Sequence, residues 1–407
     1  MKLDFSPSER STIGIEWELQ LIDSDSSNLR QSAEYVLQAA NDANPGQKLL
    51  HKEMLLNTIE IVSRPRRRVS QCLDDLTEGL QMVQPITDEL RIDLATAGSH
   101  PFANPIYQLV TDSERYAELV ERTQYWGRQM LLFGTHVHVG IERREQLLPV
   151  LHFLLTKLAH MQSLTAASPF WAGMDTGYCD NRAMVFQQLP TAGTPRDFDT
   201  WDQLEDYTED LHRTGIIRSF DEIRWDIRPS PKLGTIEIRV ADASTNLMEV
   251  GAFAALVHCL VEDAVRKLDN GEPLERMQPW YVDENKWRSA RYGMDATIIE
   301  NSVGEERPIG ESINELLDSL VSVSVDLGCA EELANWQEII RGGVGYQRQR
   351  KIQERYGNLE AVVELMRAER KAGHPLDPGI FEFSGNGEHT PIPGGHDRAS
   401  ENTSPSC

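Results

Sequence analysis

The chain has 407 residues, of which 40% are hydrophobic and 26% are charged. These proportions match a folded globular protein and exclude collagen-like and wholly disordered chains. With 40 Lys and Arg residues against 64 Asp and Glu residues, the formal net charge is −24. Such a charge repels phosphate backbones and anionic lipid surfaces, so we expect neither nucleic acid nor a membrane as a partner. An acidic site can still hold an anionic nucleotide if its carboxylates bind Mg²⁺ first.

The apolar stretches and the cysteines indicate a cytoplasmic protein. The N-terminal residues lack an apolar run of signal-peptide length, and the richest later run, at 250–260, is too short to span a bilayer. The 5 cysteines include no CxxC pair, which argues against a disulfide framework and against a Cys-rich zinc site. We therefore expect reduced thiols in a cytosolic compartment.

One domain is predicted over residues 1–373. Neither an internal repeat nor a Pro-, Gly- and Ser-rich linker interrupts the chain between about residue 11 and residue 373. Residues 374–407 offer few apolar side chains to offset the entropy of ordering. We predict a disordered tail there, in which His389 and His396 are solvated rather than metal-binding.

Taken in chain order, apolar residues at helical spacing predict a series of helices. They cover 32–42, 69–93, 112–130, 145–167, 200–214, 246–268, 311–326, 331–341 and 358–371. Pro85 predicts a kink or a break in the second of them. Between the helices lie short segments that alternate with period two, which is the pattern of strands with one buried face and one face toward a cleft.

The first alternating segment, 13–21, carries two glutamates on its polar face. Glu16 and Glu18 are two positions apart, so they lie roughly 6.6 Å from each other along a strand. At that spacing their carboxylates can bind one metal ion or bridge two. The alternative is a solvated polar face on an edge strand, and this segment alone does not decide between the two.

Three later segments repeat the alternation. Their polar positions are Glu60, His136, His138, Glu237 and Arg239. An antiparallel sheet with helices behind it would gather these groups on one concave polar face, so we predict an α+β fold with a functional sheet face. We interpret the isolated His152, His160 and His258 on predicted helices as packed core residues.

The charges on that face predict a divalent cation. Mutual repulsion among four carboxylates would raise their pKa values unless cations neutralised them. Oxygen ligands with one imidazole favour Mg²⁺ or Mn²⁺ over zinc or copper, and Mg²⁺ with a nearby arginine commonly holds transferring phosphates. The chain has neither a GxxxxGK[ST] loop nor a GxGxxG motif, so a bound nucleotide would be held by metals and side chains.

Three loop segments carry weaker signals. Residues 175–182 predict a polar turn followed by the start of a helix, and residues 190–195 predict a loop. The glycine-rich segment 342–345 is interpreted either as a helix C-cap or as a turn that faces a ligand. The sequence leaves both interpretations open.

Four motifs resemble one known family. They are GIEWELQLID at 14–23, FGTHVHVGI at 133–141, FWAGMDTGYCDNRAMVFQQLPTAGTP at 170–195 and WDIRPSPKLGTIEIRVADA at 225–243. Together they resemble the bacterial glutamate–cysteine ligase type 2 family of carboxylate–amine ligases, and the resemblance runs from about residue 11 to about residue 371. The family's first motif usually carries a run of acids, whereas this chain has Trp17 in the middle position. Because Trp17 falls on the apolar face of the alternation, we expect metal binding to survive.

The resemblance implies a fold and a reaction. The fold is glutamine synthetase-like, with a curved, mainly antiparallel sheet and helices packed on its apolar face. The reaction is ATP-dependent ligation of the γ-carboxylate of L-glutamate to the amine of L-cysteine, with release of ADP and phosphate. The implied partners are these small molecules, with Mg²⁺ or Mn²⁺ as cofactor, and the implied assembly is a homo-oligomer such as a homodimer.

The same resemblance implies residue roles. Metal ligands would be Glu16, Glu18, Glu60, Glu237 and His136. Catalytic roles would fall to Glu237 and to Arg239, which would bind substrate or phosphate. Weaker candidates for substrate binding are Tyr178, His138, Arg182 and Arg228.

Other functions stay open at this stage. One is ligation of another acid and amine, and a second is a metal-dependent phosphotransferase of the same fold that stops at the phosphorylated acceptor. ADP release without any amine would favour the phosphotransferase. A third is a binding or regulatory protein that keeps a nucleotide without turnover, which the presence of all four carboxylates and Arg239 disfavours.

Overall fold

An antiparallel sheet of seven strands organises the part of the chain that this computed structural model describes, residues 2–385. The strands in that part are β1 Ile13–Asp23, β2 Leu50–Lys52, β3 Thr58–Val62, β4 Ile92–Ala95, β5 Thr135–Gly140, β6 Phe170–Trp171, β7 Met174–Asp175, β8 Ala192–Gly193, β9 Arg224–Trp225, β10 Ile227–Ser230, β11 Thr235–Ile238, β12 Thr297–Ile299 and β13 Glu306–Pro308. The sheet runs β10-β11-β5-β1-β3-β2, with β4 also paired to β1, and all its pairs are antiparallel. The predicted mainly antiparallel α+β architecture is confirmed.

Helices cover one face of this sheet. The helices are α1 Ala33–Ala43, α2 Val69–Glu89, α3 Glu114–Thr123, α4 Arg144–Thr156, α5 Leu158–Thr165, α6 Asn181–Phe186, α7 Trp201–Arg213, α8 Leu247–Asp269, α9 Pro279–Tyr292, α10 Ile309–Leu327, α11 Ala330–Gly342, α12 Gly345–Tyr356 and α13 Glu360–Ala372. Helix α8 is buried along most of its length and packs with α2 and α4 behind the strands. Every helix among the described residues is too short or too polar to cross a membrane.

Strand β1 shows why one face of the sheet packs into the core and the other face carries the candidate site. Ile15, Trp17 and Leu19 are fully buried, whereas Glu16 and Glu18 face the other side of the sheet. Burial of each such apolar side chain stabilises the fold by roughly 1.5–3 kcal/mol. The indole N–H of Trp17 donates to the Ser244 carbonyl at 3.0 Å, so this residue belongs to the apolar face, as expected.

Most predicted helices are present, with three differences in extent. Helix α2 runs through Pro85 without a break and ends at Glu89, because β4 begins at Ile92. The predicted helix at 145–167 is two helices, α4 and α5, which are divided at Lys157. Helix α3 is shorter than the predicted span 112–130.

Helices α9 and α12 are absent from the prediction because they bury polar side chains. Helix α9 buries Asn285, Lys286 and Ser289, and α12 buries Arg348 and Gln349. A helix whose inner face is polar shows no apolar repeat, so periodicity does not reveal it.

The glycine-rich segment 342–345 is a helix C-cap followed by a new helix. Gly343 follows the end of α11 with a φ of 97°, a conformation that L side chains rarely adopt. Gly345 opens α12, and a Cβ there would lie 2.7 Å from Cβ of Ala167. The C-cap interpretation is therefore confirmed.

The first part of the predicted tail, residues 374–385, contacts the rest of the chain. The hydroxyl of Tyr356 donates to the carbonyl of Phe381 at 2.6 Å, and Leu376 is partly buried against a small apolar cluster. The chain from residue 386 on, with both predicted solvated histidines, lies outside the described residues. The predicted division into a domain and a disordered tail stays a prediction.

Candidate active site

The strand register brings the predicted site residues together as opposed pairs. The pairs are Glu16 with His136, Glu18 with Glu60, and His138 with Glu237. Opposed residues of antiparallel strands have Cβ atoms about 4.5–5.5 Å apart and point to the same sheet face. The predicted polar face is therefore present, and four strands, β1, β3, β5 and β11, contribute to it.

The Glu16 carboxylate lies between two imidazoles. Its Oε2 lies 3.0 Å from Nδ1 of His136, and its Oε1 lies 3.2 Å from Nε2 of His138. Burial opposes ionisation of Glu16, but the hydrogen bonds to His136 and His138 hold its pKa well below the ordinary range. Burial, and then nearby Arg239, lowers the pKa of His136 to about 4. His136 is thus neutral at pH 7 and donates from Nδ1 to Glu16.

Glu237 is the most strongly paired carboxylate of the site. Its side chain is 1% exposed, and it accepts a hydrogen bond from Nε of Arg228 at 2.6 Å and another from Arg239. His138 lies 3.8 Å away on its other side. Burial raises the pKa of Glu237, but Arg239, His138 and Arg228 together hold it well below its ordinary value. Glu237 is therefore ionised at any physiological pH.

Glu18, Glu53 and Glu60 form an acidic group at the other end of the polar face. One oxygen from each lies within 4.8 Å of the others. Burial, and then Glu53, raises the pKa of Glu18 to about 8, and burial with repulsion from Glu53, Glu16 and Glu18 raises the pKa of Glu60 well above its ordinary value. Without a cation these carboxyls cannot all be ionised.

Glu53 was missed by sequence reasoning because it follows the short strand β2 and belongs to no alternating segment. Its backbone is held by the neighbouring loop, since its carbonyl accepts a hydrogen bond from Oγ1 of Thr111 at 2.6 Å. No sequence pattern marks Glu53, and it is the pairing of β2 with β3 in the structure that brings the chain beside Glu53 close to Glu60.

Three sets of side chains on this face offer donors for a divalent cation. They are Glu16 with His138 and Glu237, Glu16 with Glu60 and His136, and Glu18 with Glu53 and Glu60. Within each set, one donor atom per residue lies within 4.8 Å of the others. Carboxylate oxygens with at most one imidazole are the ligand chemistry of Mg²⁺ and Mn²⁺, so the residues fit the predicted cofactor.

Arg182 is buried beside the site and donates hydrogen bonds to the backbone of the site. Its Nη1 donates to the carbonyls of Arg239 at 3.0 Å and of Val240 at 3.3 Å, just where β11 ends. Its Nη2 lies 3.3 Å from Nε2 of His136, which is the acceptor nitrogen of that ring. Arg182 lies at the start of α6, where the side chain of Asp180 caps the helix.

The polar face opens into a cleft with an empty volume of about 1010 Å³, including space open to solvent. Of the predicted site residues, all but Tyr178, His138 and Glu237 line it. The lining also includes Arg115 and Tyr116 of α3 and Arg224 of β9, which the sequence did not reveal. Burial, and then repulsion from Arg115, lowers the pKa of Arg224 to about 10, so Arg224 still carries its positive charge at pH 7.

Tyr178 and His138 take other positions than the expected substrate contacts. Tyr178 does not line the cleft, since its hydroxyl accepts from the indole N–H of Trp287 at 3.3 Å and Arg291 covers its ring. His138 lies behind the cleft wall, and its Nδ1 lies 3.0 Å from Oγ1 of Thr235. Its other nitrogen is directed at Glu16 and Glu237.

Solved structures share this fold. Glutamate–cysteine ligase from Francisella tularensis, solved in complex with AMP, superposes with a TM-score of 0.63 at 12% identity over 92% of this chain and 91% of that chain. A bifunctional glutathione synthetase from Pasteurella multocida gives a TM-score of 0.59 at 13% identity over 89% of this chain and 52% of that chain. These likenesses confirm the glutamine synthetase-like fold class predicted above.

Sequence comparison extends the likeness to the whole described body of the chain. A protein of Paenarthrobacter aurescens strain TC1 with the provisional name glutamate–cysteine ligase 2-2 is 48% identical over 379 residues, which cover 91% of this chain and 99% of that protein. A protein of Leifsonia xyli subsp. xyli strain CTCB07, provisionally named glutamate–cysteine ligase 2, is 47% identical over 375 residues, with coverage of 91% and 99%. The family model described as Glutamate-cysteine ligase family 2 matches residues 12–365, and the chain therefore belongs to that family.

Proposed function

We propose that this protein is an ATP-dependent ligase that joins the γ-carboxylate of L-glutamate to the amine of L-cysteine through an acyl phosphate, giving γ-glutamylcysteine, ADP and phosphate. The observation that carries the proposal is the row of carboxylates from Glu237 to Glu53 at a cleft that Arg115 and Arg224 also line. Such a site accepts an anionic acid and a triphosphate only when cations accompany them.

The proposed ligands for Mg²⁺ or Mn²⁺ are Glu16, Glu18, Glu53, Glu60 and Glu237. His136, whose Nδ1 faces Glu16 and whose Nε2 faces Arg182, would orient the Glu16 carboxylate and would not bind the cation itself. A cation bound by these glutamates would screen the triphosphate charge and polarise the transferring phosphoryl group. Because Glu237 is held ionised by Arg228 and Arg239, it keeps its ligand charge over the physiological pH range.

Arg239 is the proposed catalytic cation. It donates one N–H to Glu237, and its buried Nε has no hydrogen-bond partner among the described residues. A buried N–H without a partner costs free energy in the ligand-free protein, so Arg239 is prepared to bind an oxygen of the substrate. We assign it to charge that develops on the transferred phosphoryl group.

Phosphorylation of the γ-carboxylate supplies a leaving group, because a free carboxylate would have to expel oxide. The amine then displaces phosphate, and no protein nucleophile is needed. Arg182 would hold the backbone that follows β11 and the His136 ring in place during both steps. Arg228 and His138 would act through their contacts with Glu237. The proposal leaves Tyr178 without a contact to the substrate.

Isotope transfer tests the proposed reaction. Glutamate labelled with ¹⁸O in its γ-carboxylate should pass one labelled oxygen into inorganic phosphate for each amide formed in the presence of cysteine. Unlabelled phosphate beside full amide product would exclude the acyl phosphate. ADP release with a phosphorylated acid but without any amine would instead support a phosphotransferase, and other acids and amines are screened by product mass in the same assay.

The control for this assay is a glutamate outside the site. Glu142 is exposed and follows β5 in the chain. Glu142→Gln should give wild-type label transfer, so that loss of transfer in a site variant is attributed to the site and not to a general loss of charge.

A further inference from the structure

Two aspartates lie fully buried behind the cleft, apart from the proposed metal ligands. Asp180 precedes α6 and is 1% exposed, and Asp242 follows β11 and is 0% exposed. Buried carboxylates are rare unless they are paired with cations or hydrogen-bonded at every oxygen. Each of the four oxygens of these two carboxyl groups therefore needs a hydrogen-bond donor or a proton.

Three of the four oxygens have protein donors. Oδ2 of Asp242 accepts from the backbone N–H of Ala167 and from the hydroxyl of Ser168, both at 2.7 Å. Oδ1 of Asp180 accepts from the N–H of Ala183, and its Oδ2 accepts from Nε2 of Gln162, both at 2.8 Å. Only Oδ1 of Asp242 has no donor among the described residues.

The Gln162 amide is oriented by its two neighbours. Its Nε2 donates to Asp180 at 2.8 Å, and its Oε1 lies 2.6 Å from Oγ of Ser289, which also lies 3.0 Å from the carbonyl oxygen of Lys286. Space beside Asp242 is closed as well, because a methyl group on Gly98 would overlap the Asp242 carboxyl. The Asp180 carboxyl lies close enough to raise the pKa of Asp242 by repulsion, and the unpartnered Oδ1 of Asp242 is the oxygen that remains for a hydrogen bond between the two groups. A hydrogen bond between two carboxyl groups requires a proton on one of them.

Charge balance leads to the same conclusion. Arg182 is the charged group that most favours ionisation of both aspartates, while α5 and α9 contribute the neutral Gln162 and Ser289. One buried cation cannot compensate two buried anions. Burial, and then Asp180, raises the pKa of Asp242 well above its ordinary value, and burial raises that of Asp180.

The pair is connected directly to Arg182. The Ser168 hydroxyl that donates to Asp242 also accepts from the backbone N–H of Arg182 at 3.2 Å. Asp180 caps the helix in which Arg182 is the second residue. We propose that Asp180 and Asp242 share one proton, carried on Oδ1 of Asp242, and that this acid–carboxylate pair is the positioning element that holds Arg182 against β11 and His136.

Substitutions at the two aspartates should have unequal effects. In Asp242→Asn the amide NH₂ takes the place of the acid O–H, so turnover and melting temperature should stay within about threefold and a few degrees of wild type. In Asp180→Asn the new NH₂ group meets the NH₂ group of Gln162 or leaves Asp242 without an acceptor. We expect a fall in turnover of about 10- to 100-fold there. Asp242→Ala should lose both turnover and stability.

Infrared spectroscopy supplies a readout that a merely structural role would not change. The wild-type minus Asp242→Asn difference spectrum should show the C=O stretch of one protonated carboxylic acid, shifted by exchange into D₂O, because the bands of protonated Glu18 and Glu60 are common to both folded proteins and cancel. These spectra and the melting curves need no turnover, so they stand even if the proposed reaction fails. Equal damage from Asp242→Asn and Asp242→Ala, or an unchanged infrared band in Asp242→Asn, would overturn the shared proton.

Discussion

Gly134 and Arg182 lie so close that any side chain at position 134 would have to displace the Arg182 guanidinium. A Cβ on Gly134 would overlap Nη2 of Arg182 and would lie 2.8 Å from Nε2 of His136. The backbone N–H of Gly134 also donates to Oε2 of Glu18 at 2.6 Å. Gly134 therefore lies against the Arg182 guanidinium, the His136 ring and the carboxylate of Glu18, which is a proposed metal ligand.

Gly134→Ala should displace the Arg182 guanidinium and disturb the cleft. We expect a loss of about 1–3 kcal/mol in the free energy of unfolding from overpacking, and a fall of at least about tenfold in turnover. Urea unfolding and ADP release measure the two effects. The matched control is Gly14→Ala in β1, where an added Cβ meets nothing within 4 Å. Equal behaviour of the two variants would show that the contact with Arg182 is unimportant.

Glu237→Gln should stop the reaction while the chain still folds. The amide keeps the shape of the side chain but leaves Arg228 and Arg239 without their anion, so turnover should fall at least about 100-fold. The free energy of unfolding should fall by about 1–3 kcal/mol. Circular dichroism checks the fold, and ADP release checks the activity. Wild-type turnover at saturating Mg²⁺ would falsify the assigned role of Glu237.

Glu60→Gln should behave differently in the metal-free protein. Because burial and neighbouring carboxylates raise the pKa of Glu60 well above its ordinary value, the metal-free protein carries it as a neutral acid, which glutamine imitates. Its melting temperature in EDTA should match wild type within a few degrees. Addition of Mg²⁺ should stabilise it less than wild type, since a ligand charge is missing. A large loss of stability already in EDTA would contradict this protonation state.

The acidic group should make metal-free stability depend on pH. The pKa of Glu18 is raised from 4.5 to about 8 by burial and then by Glu53, so the folded state binds more protons than the unfolded state between these values. Stability should therefore fall as pH rises from about 4.5 to about 8, by up to about 1.4 kcal/mol per pH unit for each such carboxyl. Urea unfolding in EDTA at several pH values measures the slope. Mg²⁺ should flatten it, and a slope of the opposite sign would exclude this account.

Truncations should separate the two parts of the predicted tail. Removal of residues 386–407 should leave the melting temperature unchanged, because that sequence has few apolar side chains to bury. Removal of residues 374–407 should lower it by a few degrees, since it also deletes the contacts of Leu376 and Phe381. Thermal melts of the two truncated proteins measure this difference, and equal curves would show that residues 374–385 add nothing to stability.

Alternation in the sequence was sufficient to predict the sheet face. Each residue of β1 that repeats with period two keeps its assigned side, and so do the two histidines of β5. Pairing then supplies what alternation cannot, because only the register places Glu16 opposite His136 and His138 opposite Glu237. The fold class and most of the carboxylates of the site can therefore be predicted from the sequence alone.

The remaining parts of the site depend on tertiary contacts. Glu53 lies in a loop, and Arg115 and Arg224 come from elements far apart in sequence, so no local pattern marks them. Tyr178 stands in a family-like motif, yet Arg291 covers its ring and its hydroxyl accepts from the indole N–H of Trp287, away from the cleft. Motif membership identifies the segment but not the direction of each side chain within it.

The three donor sets on the sheet face are not separate. Glu16 belongs to the first and the second set, and Glu60 belongs to the second and the third. An ion in the middle set would share one carboxylate with each neighbouring ion. Occupancy at one position therefore changes the charge and the orientation of a ligand at the next, so a metal titration of this protein should be described by linked equilibria and not by three independent affinities.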